Sequence, residues 1–315
     1  MDNFVASYVI SNPHGLVLYG NPGATAQPIG PAGGYALYYV ANGSHTVQTI
    51  ATPTPAADGT VRGILVARTS GDWVAYVIAD GNEGHWELWV LNVLSDERRM
   101  IDSAPADAAG LRLGGDLALD GADLVYSAAV LPNGSAGAVE HVFRAYHLAT
   151  GQVRTLMSGP STPIIFPRAM ANGAVFFTES QGNTPAGSWL WVLSDAAPHQ
   201  ISSQIGPNAA MNDHYIVWDD PSSRSLSLYD RATNRESDGI IKNCIRPALP
   251  AQGPYGVCVD FDRATYRAFQ LPSGQNSTFF DHQAGSLAIA IAGSRAYWVA
   301  GQASNVIDYL DMPTI

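Results

Sequence analysis

Charged residues are scarce in this sequence. Only 14% of its 315 residues are Asp, Glu, Lys or Arg, against about 25% in typical soluble domains, whereas 46% are hydrophobic. This balance excludes a disordered chain and a charged helical rod. The 16 basic and 27 acidic residues give a net charge of -11, and no basic stripe interrupts the acidic excess. We therefore expect no nucleic-acid partner.

Long hydrophobic runs are also missing. No apolar run approaches the roughly 18 residues that a membrane-spanning helix needs. The segment after Met1 lacks the basic start and the long apolar core of a signal peptide. The sequence thus predicts a soluble chain without membrane insertion or export signal, and it leaves the compartment open.

Cysteine is too rare for a disulfide scaffold, since the chain has only Cys244 and Cys258. No Cys/His cluster has the spacing of a zinc site. A hairpin turning around residues 252–254 would place Cys258 opposite a residue near 248, so a bridge to Cys244 needs an offset between the strands. We predict two buried thiols, with a disulfide as the alternative.

Turn residues and repeated short runs dominate what is present. The chain has 31 glycines and 20 prolines, a composition that favours strands and tight turns. A turn rich in Gly, Asn or Asp is followed seven times by an apolar run that usually ends in an aromatic residue, at spacings of 57, 50, 51, 41, 40 and 40 residues. The runs are Leu16–Tyr19, Trp73–Tyr76, Leu124–Tyr126, Ala174–Phe177, Tyr215–Trp218, Tyr255–Cys258 and Arg295–Trp298.

Each run is the second of four predicted strands. An apolar stretch precedes it, an alternating strand such as Ser225–Tyr229 follows it, and a polar strand closes the unit. Four strands in units of about 40 to 57 residues are typical of β-propeller blades. We predict an all-β, single-domain propeller of four-stranded antiparallel blades, with seven blades preferred and six as the alternative. The predicted blades are residues 4–53, 63–104, 113–157, 165–202, 208–240, 247–280 and 286–313.

The two ends of the repeat are irregular. The first unit holds a long insertion at Asn21–Gly34, and the last has room for only three strands. Residues Met1–Ser7 are candidates for a strand that completes the last blade, but the first blade also needs Ala6–Ile10. Six blades is the alternative that this conflict leaves open.

Two units resemble a known group of propellers. Gly71–Ile101 and Ile216–Glu236 look like blades of TolB-like β-propellers, in the wider superfamily that includes WD40-like propellers, with an aromatic-ended second strand and an Asp-rich loop. The resemblance implies a fold whose members include partner-binding modules, gating domains of serine peptidases and occasional enzymes. It therefore leaves the function open.

The resemblance also implies where a ligand would bind. In such propellers the first strand of each blade lines the channel, and ligands meet the rim formed by loops before the first strands and between the second and third. Carboxylates and imidazoles that share such a mouth can act as acid and base. In the alternative, strand-end Asp residues only hydrogen-bond loop amides. The expected rim residues are Asp80, His85, Arg168, Glu179, Asp219, Asp220, Arg246, Asp260, Asp262, Asp281 and His282.

Two arginines and one tryptophan stand out in this set. Arg168 and Arg246 each lie beside a proline at the start of a predicted channel strand. Each can clamp a ligand carboxylate or phosphate, or else neutralise the neighbouring acids. Trp86, beside His85, is the best candidate for an exposed ring that stacks on a sugar. The other strand tryptophans, Trp89, Trp191, Trp218 and Trp298, are predicted to lie in the core.

Several reaction classes are absent from the sequence. It has no Gly-x-Ser-x-Gly elbow, no Walker loop and no His-Glu-x-x-His helix, and we predict neither a cofactor nor a metal site. The preferred function is a monomeric binding module for a protein partner or a polar, anionic ligand at the channel mouth. One alternative is a lyase, hydrolase or isomerase with acid and base drawn from His282, His85, Glu179 and Asp219. The other is a carbohydrate-binding module.

Overall fold

The computed structural model consists of antiparallel sheets formed by consecutive strands. Every regular element that it describes is a strand, and no helix among these residues is long and apolar enough to cross a membrane. The described residues are 4–22, 36–44, 46–53, 62–80, 85–104, 113–130, 140–159, 162–181, 184–262, 265–278, 289–292, 295–299 and 307–311.

The chain divides into two compact units, Met1–Phe166 and Pro167–Ile315. The first unit holds three four-stranded sheets, in each of which neighbours in sequence are neighbours in the sheet. Sheet 1 contains β1 (Phe4–Asn12), β2 (Gly15–Pro22), β3 (Ala36–Ala41) and β4 (Gln48–Ala51). Sheet 2 contains β5 (Arg62–Ser70), β6 (Trp73–Asp80), β7 (Trp86–Asn92) and β8 (Arg98–Ala104). Sheet 3 contains β9 (Leu113–Leu119), β10 (Asp123–Val130), β11 (Glu140–His147) and β12 (Val153–Gly159).

The second unit holds three further four-stranded sheets and one of three strands. Sheet 4, whose first strand begins just before the unit boundary, contains β13 (Ile164–Ala171), β14 (Ala174–Gln181), β15 (Thr184–Val192) and β16 (His199–Ser202). Sheet 5 contains β17 (Ala209–Met211), β18 (Tyr215–Asp220), β19 (Ser225–Asp230) and β20 (Arg235–Lys242). Sheet 6 contains β21 (Cys244–Ala248), β22 (Tyr255–Asp260), β23 (Thr265–Gln270) and β24 (Asn276–Thr278). Sheet 7 contains β25 (Ile289–Ala292), β26 (Arg295–Val299) and β27 (Ile307–Asp311).

The sheet count resolves part of the sequence prediction. Among the described residues, six sheets have four strands, which matches the six-blade alternative, and a three-stranded sheet occupies the region where the sequence has room for three strands. Residues Phe4–Asn12 pair with β2, so they form the first strand of the first sheet. The aromatic-ended runs lie in second strands throughout, which confirms the repeat as a series of sheets.

The core of each unit lies between the faces of successive sheets. In the first unit, Val77 and Leu88 of sheet 2 pack in one buried cluster with Leu117 and Tyr126 of sheet 3. In the second unit, the rings of Phe176 and Trp218 stack with centroids 5.6 Å apart. The core prediction is confirmed for Trp191, Trp218 and Trp298, which are buried, and Trp89 is partly buried. Period-two alternation explains this, because each strand sends every second side chain to one neighbouring sheet.

Candidate functional site

A partly buried ion cluster lies at one end of sheet 2, where β5 and β7 begin. Glu87 Oε1 lies 2.8 Å from Arg62 Nη2 and 3.1 Å from His85 Nε2, and Glu87 Oε2 accepts a 2.9 Å hydrogen bond from Trp89 Nε1. Burial raises the pKa of Glu87, but the donors Arg62, Trp89 and His85 outweigh it, and the pKa is lowered. The cluster therefore holds an ionised Glu87 with Arg62 as its counter-charge.

The structure places two predicted residues in this cluster or beside it. His85 is bound to Glu87, and the backbone of Asp80 pairs with Arg62, while the Asp80 side chain lies outside the described residues. The sequence analysis missed Arg62 and Glu87. The alternation of β7 was a usable signal, because it puts Glu87 and Trp89 on one face.

The expectation that Trp86 is exposed is wrong. Its side chain is 4% exposed and belongs to the core cluster that contains Leu88 and Leu117. As the first residue of β7 it faces the same side as Leu88, which points into the core. Trp86 therefore offers no surface ring for a sugar at this position.

Sheet 4 holds Arg168 and Glu179. Arg168 Nε donates a 3.3 Å hydrogen bond to Thr178 Oγ1, so this arginine is tied to the second strand of its own sheet. The neighbouring Glu179 is 8% exposed, and burial raises the pKa of its carboxyl group. No hydrogen bond to this carboxyl group is found in the described part of the chain. Of the predicted acid and base residues with described side chains, Glu179 is thus the one without a partner.

Asp219 joins the first strands of sheets 5 and 6. Its buried carboxylate accepts hydrogen bonds from Asn208 N at 3.1 Å, from Asn208 Nδ2 at 2.8 Å and from Arg246 N at 3.1 Å. Asn208 directly precedes β17, and Arg246 lies within β21. This is the arrangement of the simpler alternative, in which a strand-end Asp accepts hydrogen bonds from loop amides.

Three further carboxylates, at strand ends or in the turn that follows, also have donors. Asp220 accepts bonds of 2.8 Å from Ser222 N and 2.7 Å from Ser223 Oγ. Burial raises the pKa of Asp220, but the serine donors outweigh burial and lower the pKa, so the carboxylate stays ionised. Asp260 is fully buried, forms an ion pair with Arg267 and accepts a 3.1 Å bond from Asp262 N. Asp262 Oδ2 accepts a 2.6 Å bond from Asn243 Nδ2.

Arg246 differs from these residues, because its charged group has no bonding partner in the described ranges. The side chain is half-buried, and its guanidinium has no hydrogen bond or ion pair with any residue in the described ranges. Its φ of +52° lies in the left-handed region, which a non-glycine residue adopts at a cost of about 1 kcal/mol. A β-bulge between Ile245 and Ala248 accommodates this conformation.

A disulfide fixes the strand on which Arg246 lies. Cys244 and Cys258 are bonded, with Cα atoms 5.8 Å apart, so the prediction of two thiols is wrong. The expected register is close, since Ala248 pairs with Val257, and the bulge supplies the offset that leaves Cys244 opposite Asp260, two residues from Cys258. This diagonal position is within disulfide reach. Three features thus constrain the backbone of Arg246: the disulfide at Cys244, the buried Pro247 that follows Arg246, and the hydrogen bond to Asp219.

The structure does not test two of the predicted residues or the prediction about metal. Asp281 and His282 lie outside the described residues. Within the ranges that the structure describes, no group of three or more His, Cys, Asp or Glu side chains is arranged to hold a metal ion.

The sheets define the class of the fold, a β-propeller. No protein-family model matches the sequence, and no curated protein matches it either. The structure is similar to TolB from Acinetobacter baumannii, with 15% identity, a TM-score of 0.51, and coverage of 87% of this chain and 62% of that one. The chain therefore spans less than two thirds of TolB.

Two other solved structures are similar over nearly their whole length. An oligogalacturonate lyase in complex with manganese has 11% identity and a TM-score of 0.63, with 99% of this chain and 91% of that chain covered. The β-propeller domain of the trilobed protease from Pyrococcus furiosus has 10% identity and a TM-score of 0.61, with 98% and 95% covered. Together these likenesses establish a TolB-like β-propeller fold, and identities this low establish the fold alone.

Proposed function

We propose that this protein is a binding β-propeller whose channel mouth takes a polar, anionic ligand anchored by Arg246. The observation that carries the proposal is the contrast within this one residue. Its backbone is held by the Asp219 carboxylate and the Cys244–Cys258 disulfide, whereas its guanidinium has no partner in the described part of the chain. Because the backbone is fixed in this way, only the side chain has to be ordered when a ligand binds.

The surrounding charges support an anion as the ligand. The sequence left open whether Arg246 serves a ligand or neutralises its acidic neighbours. Asp219 and Asp220 accept hydrogen bonds from amide and serine donors, Asp260 is paired with Arg267, and Arg246 forms no ion pair with any of the three in the described ranges, which favours the ligand role. A guanidinium presents five N–H donors in a planar fork that matches a carboxylate or a phosphate. Arg168, tied to Thr178, is the second cation that we assign to this ligand.

A second candidate function is an enzyme that uses Glu179 as an acid. His85 and Asp219 already have partners, but Glu179 is buried and without a hydrogen bond in the described ranges, and burial raises the pKa of its carboxyl group. A carboxyl group that keeps its proton closer to neutral pH is suited to general acid catalysis. The likeness to an oligogalacturonate lyase makes acidic oligosaccharides one class to test for both candidates.

A thermal-shift screen tests the binding proposal. The wild type, Arg246→Ala and Arg235→Ala are compared with acidic oligosaccharides, di- and tricarboxylates, inorganic phosphate and neutral sugars. Arg235 is an exposed strand arginine, so Arg235→Ala removes the same single positive charge as Arg246→Ala and serves as the control. We expect one anionic class to raise the Tm of the wild type and of Arg235→Ala, by the equivalent of about 2.7 kcal/mol at a hundredfold excess over Kd. Arg246→Ala should not respond.

Two results would contradict the binding proposal. One is an equal Tm increase in Arg246→Ala, and the other is no response of the wild type to any anion. The enzyme candidate is tested separately, by assaying turnover of the stabilising compound. Glu179→Gln should then lose roughly 10² to 10⁴ in rate while it keeps the Tm response. Absence of turnover in the wild type removes this candidate and leaves the binding proposal intact.

A further inference from the structure

The turns at the ends of sheets 5 and 6 carry a second set of residues that these functions do not use. We call Arg224, Lys242, Asn243 and Phe261 the turn patch. The turns are joined by a 3.2 Å bond from Cys244 N to the Arg224 carbonyl and a 2.9 Å bond from Phe261 N to the Asn243 carbonyl. Asn243 is further fixed by its side-chain bond to Asp262. The turn patch is therefore a rigid surface built by two neighbouring sheets.

The backbone of the turn patch is strained. Arg224 has a φ of +53° and Asn243 a φ of +56°. Asparagine tolerates the left-handed region, but arginine has no local reason to adopt it. Strained residues of this kind cluster at functional sites, where the surrounding structure holds them in place.

The side chains of the turn patch present an aromatic ring together with cations. The Arg224 guanidinium lies 4.3 Å from the centroid of the Phe261 ring, and Phe261 is 45% exposed. Arg224 and Lys242 are both exposed, and Lys242 is the one lysine of the sequence. An exposed aromatic ring stacked with arginine is the composition found at the energetic centres of protein interfaces.

The charge of the turn patch identifies its complement. The whole chain carries a net charge of -11, but the neighbouring carboxylates of Asp220, Asp260 and Asp262 are bound to Ser222, Arg267 and Asn243. Asp220 and Asp260 are buried, so the exposed charges at the turn patch are the cations of Arg224 and Lys242 and the carboxylate of Asp262, and the cations are in excess. Potentials of opposite sign at an interface steer association and select the partner.

We propose that the turn patch binds an acidic segment of another protein that also carries an aromatic side chain. The residues lie on exposed turns, where a small ligand would leave most of its surface in water, whereas a protein segment can cover Phe261 and reach both cations. The proposal goes beyond the anion site at Arg246, because it uses other side chains and another class of partner.

The single lysine allows a direct test. Reductive methylation with ¹³C-formaldehyde puts one NMR label on Lys242 and keeps its charge, and the methylated α-amine gives a separate signal. A Glu-Glu-Tyr-Glu-Glu peptide and its Gln-Gln-Tyr-Gln-Gln counterpart are titrated into the wild type, Arg224→Ala, Phe261→Ala and the control Arg235→Ala. Circular dichroism checks that each variant is folded.

We expect the acidic peptide to shift the Lys242 signal saturably and to bind more weakly at high salt. Its affinity should fall at least about tenfold in Arg224→Ala and Phe261→Ala and stay unchanged in Arg235→Ala. The proposal is overturned if the Gln peptide binds equally well, if either patch variant binds like the wild type, or if no saturable shift occurs. It is also overturned if inorganic phosphate gives the same shift, since the turn patch is then a small-anion site. Arg246→Ala separates the two proposals, because it should keep peptide binding.

Discussion

At the scale of single residues, the same chemical group has different roles depending on its donors. Asp219 is 3% exposed and accepts three hydrogen bonds from Asn208 and Arg246, whereas Asp262 is exposed and accepts a side-chain bond from Asn243. Glu179 has the opposite environment, burial without a described donor. A buried carboxylate with several donors, such as Asp219, stabilises the fold. A buried carboxyl group without a described donor, such as Glu179, is available to a ligand or a reaction.

Asp219→Ala should lower the free energy of unfolding by about 2 to 3 kcal/mol, because three partly buried hydrogen bonds from Asn208 and Arg246 lose their acceptor. Asp219→Asn should recover part of the loss, since its carbonyl oxygen still accepts. Asp262→Ala is the matched control and should cost about 0.5 kcal/mol or less. Urea denaturation measures all three. Equal losses at positions 219 and 262 would contradict the role assigned to Asp219.

Glu179 should make stability depend on pH. Burial raises the pKa of its carboxyl group in the folded state, so the folded state binds this proton more tightly than the unfolded chain does. The group's stabilising contribution is complete below its unfolded pKa and is lost as pH rises through the folded pKa. Glu179→Gln should therefore have a higher Tm than the wild type at pH 8, with the difference closing below about pH 4. A variant with a lower Tm at every pH would refute this.

At the scale of elements, strand β21 combines the disulfide, the bulge and Arg246. The separation of 14 residues between Cys244 and Cys258 predicts that Cys244→Ala/Cys258→Ala lowers the free energy of unfolding by about 3 kcal/mol. The same variant should weaken anion binding at Arg246, because the strand loses a constraint. Urea denaturation and the thermal-shift response measure the two effects. A double variant as stable as the wild type would show that the bond contributes nothing to the fold.

The elements themselves were predictable, but the bulge that offsets the two cysteine-bearing strands was not. The runs Trp73–Tyr76 and Tyr215–Trp218 combine a turn signal with period-two alternation, and both are second strands in the structure. The sequence favours two thiols over a disulfide, because hydrophobic alternation does not reveal a β-bulge such as the one at Arg246. Arg62 was missed because Glu87, its partner, lies 25 positions later on a strand that is not its neighbour in the sheet. Sequence periodicity reports on faces, not on such pairs.

At the scale of the whole molecule, repetition explains why the fold was readable and the function was not. Each sheet repeats the same demand for buried faces, which yields six four-stranded sheets and a three-stranded one. The functions proposed here rest on departures from the repeat, such as the Arg246 guanidinium, which has no partner in the described ranges, and the strained turn at Arg224. A departure at one position has no counterpart in the other units, so self-similarity gives no signal for it.

The measurement that tests the central claim most directly is NMR of the arginine side chains during titration with the stabilising anion. The Nε–H signal of Arg246 is assigned by its loss in Arg246→Lys, and the signals of Arg168 and Arg235 are assigned in the same way. We predict that the Arg246 signal moves most, saturates with the binding isotherm, and becomes protected from exchange, while Arg235 stays in place. An Arg246 signal that stays in place while the anion binds would contradict the account.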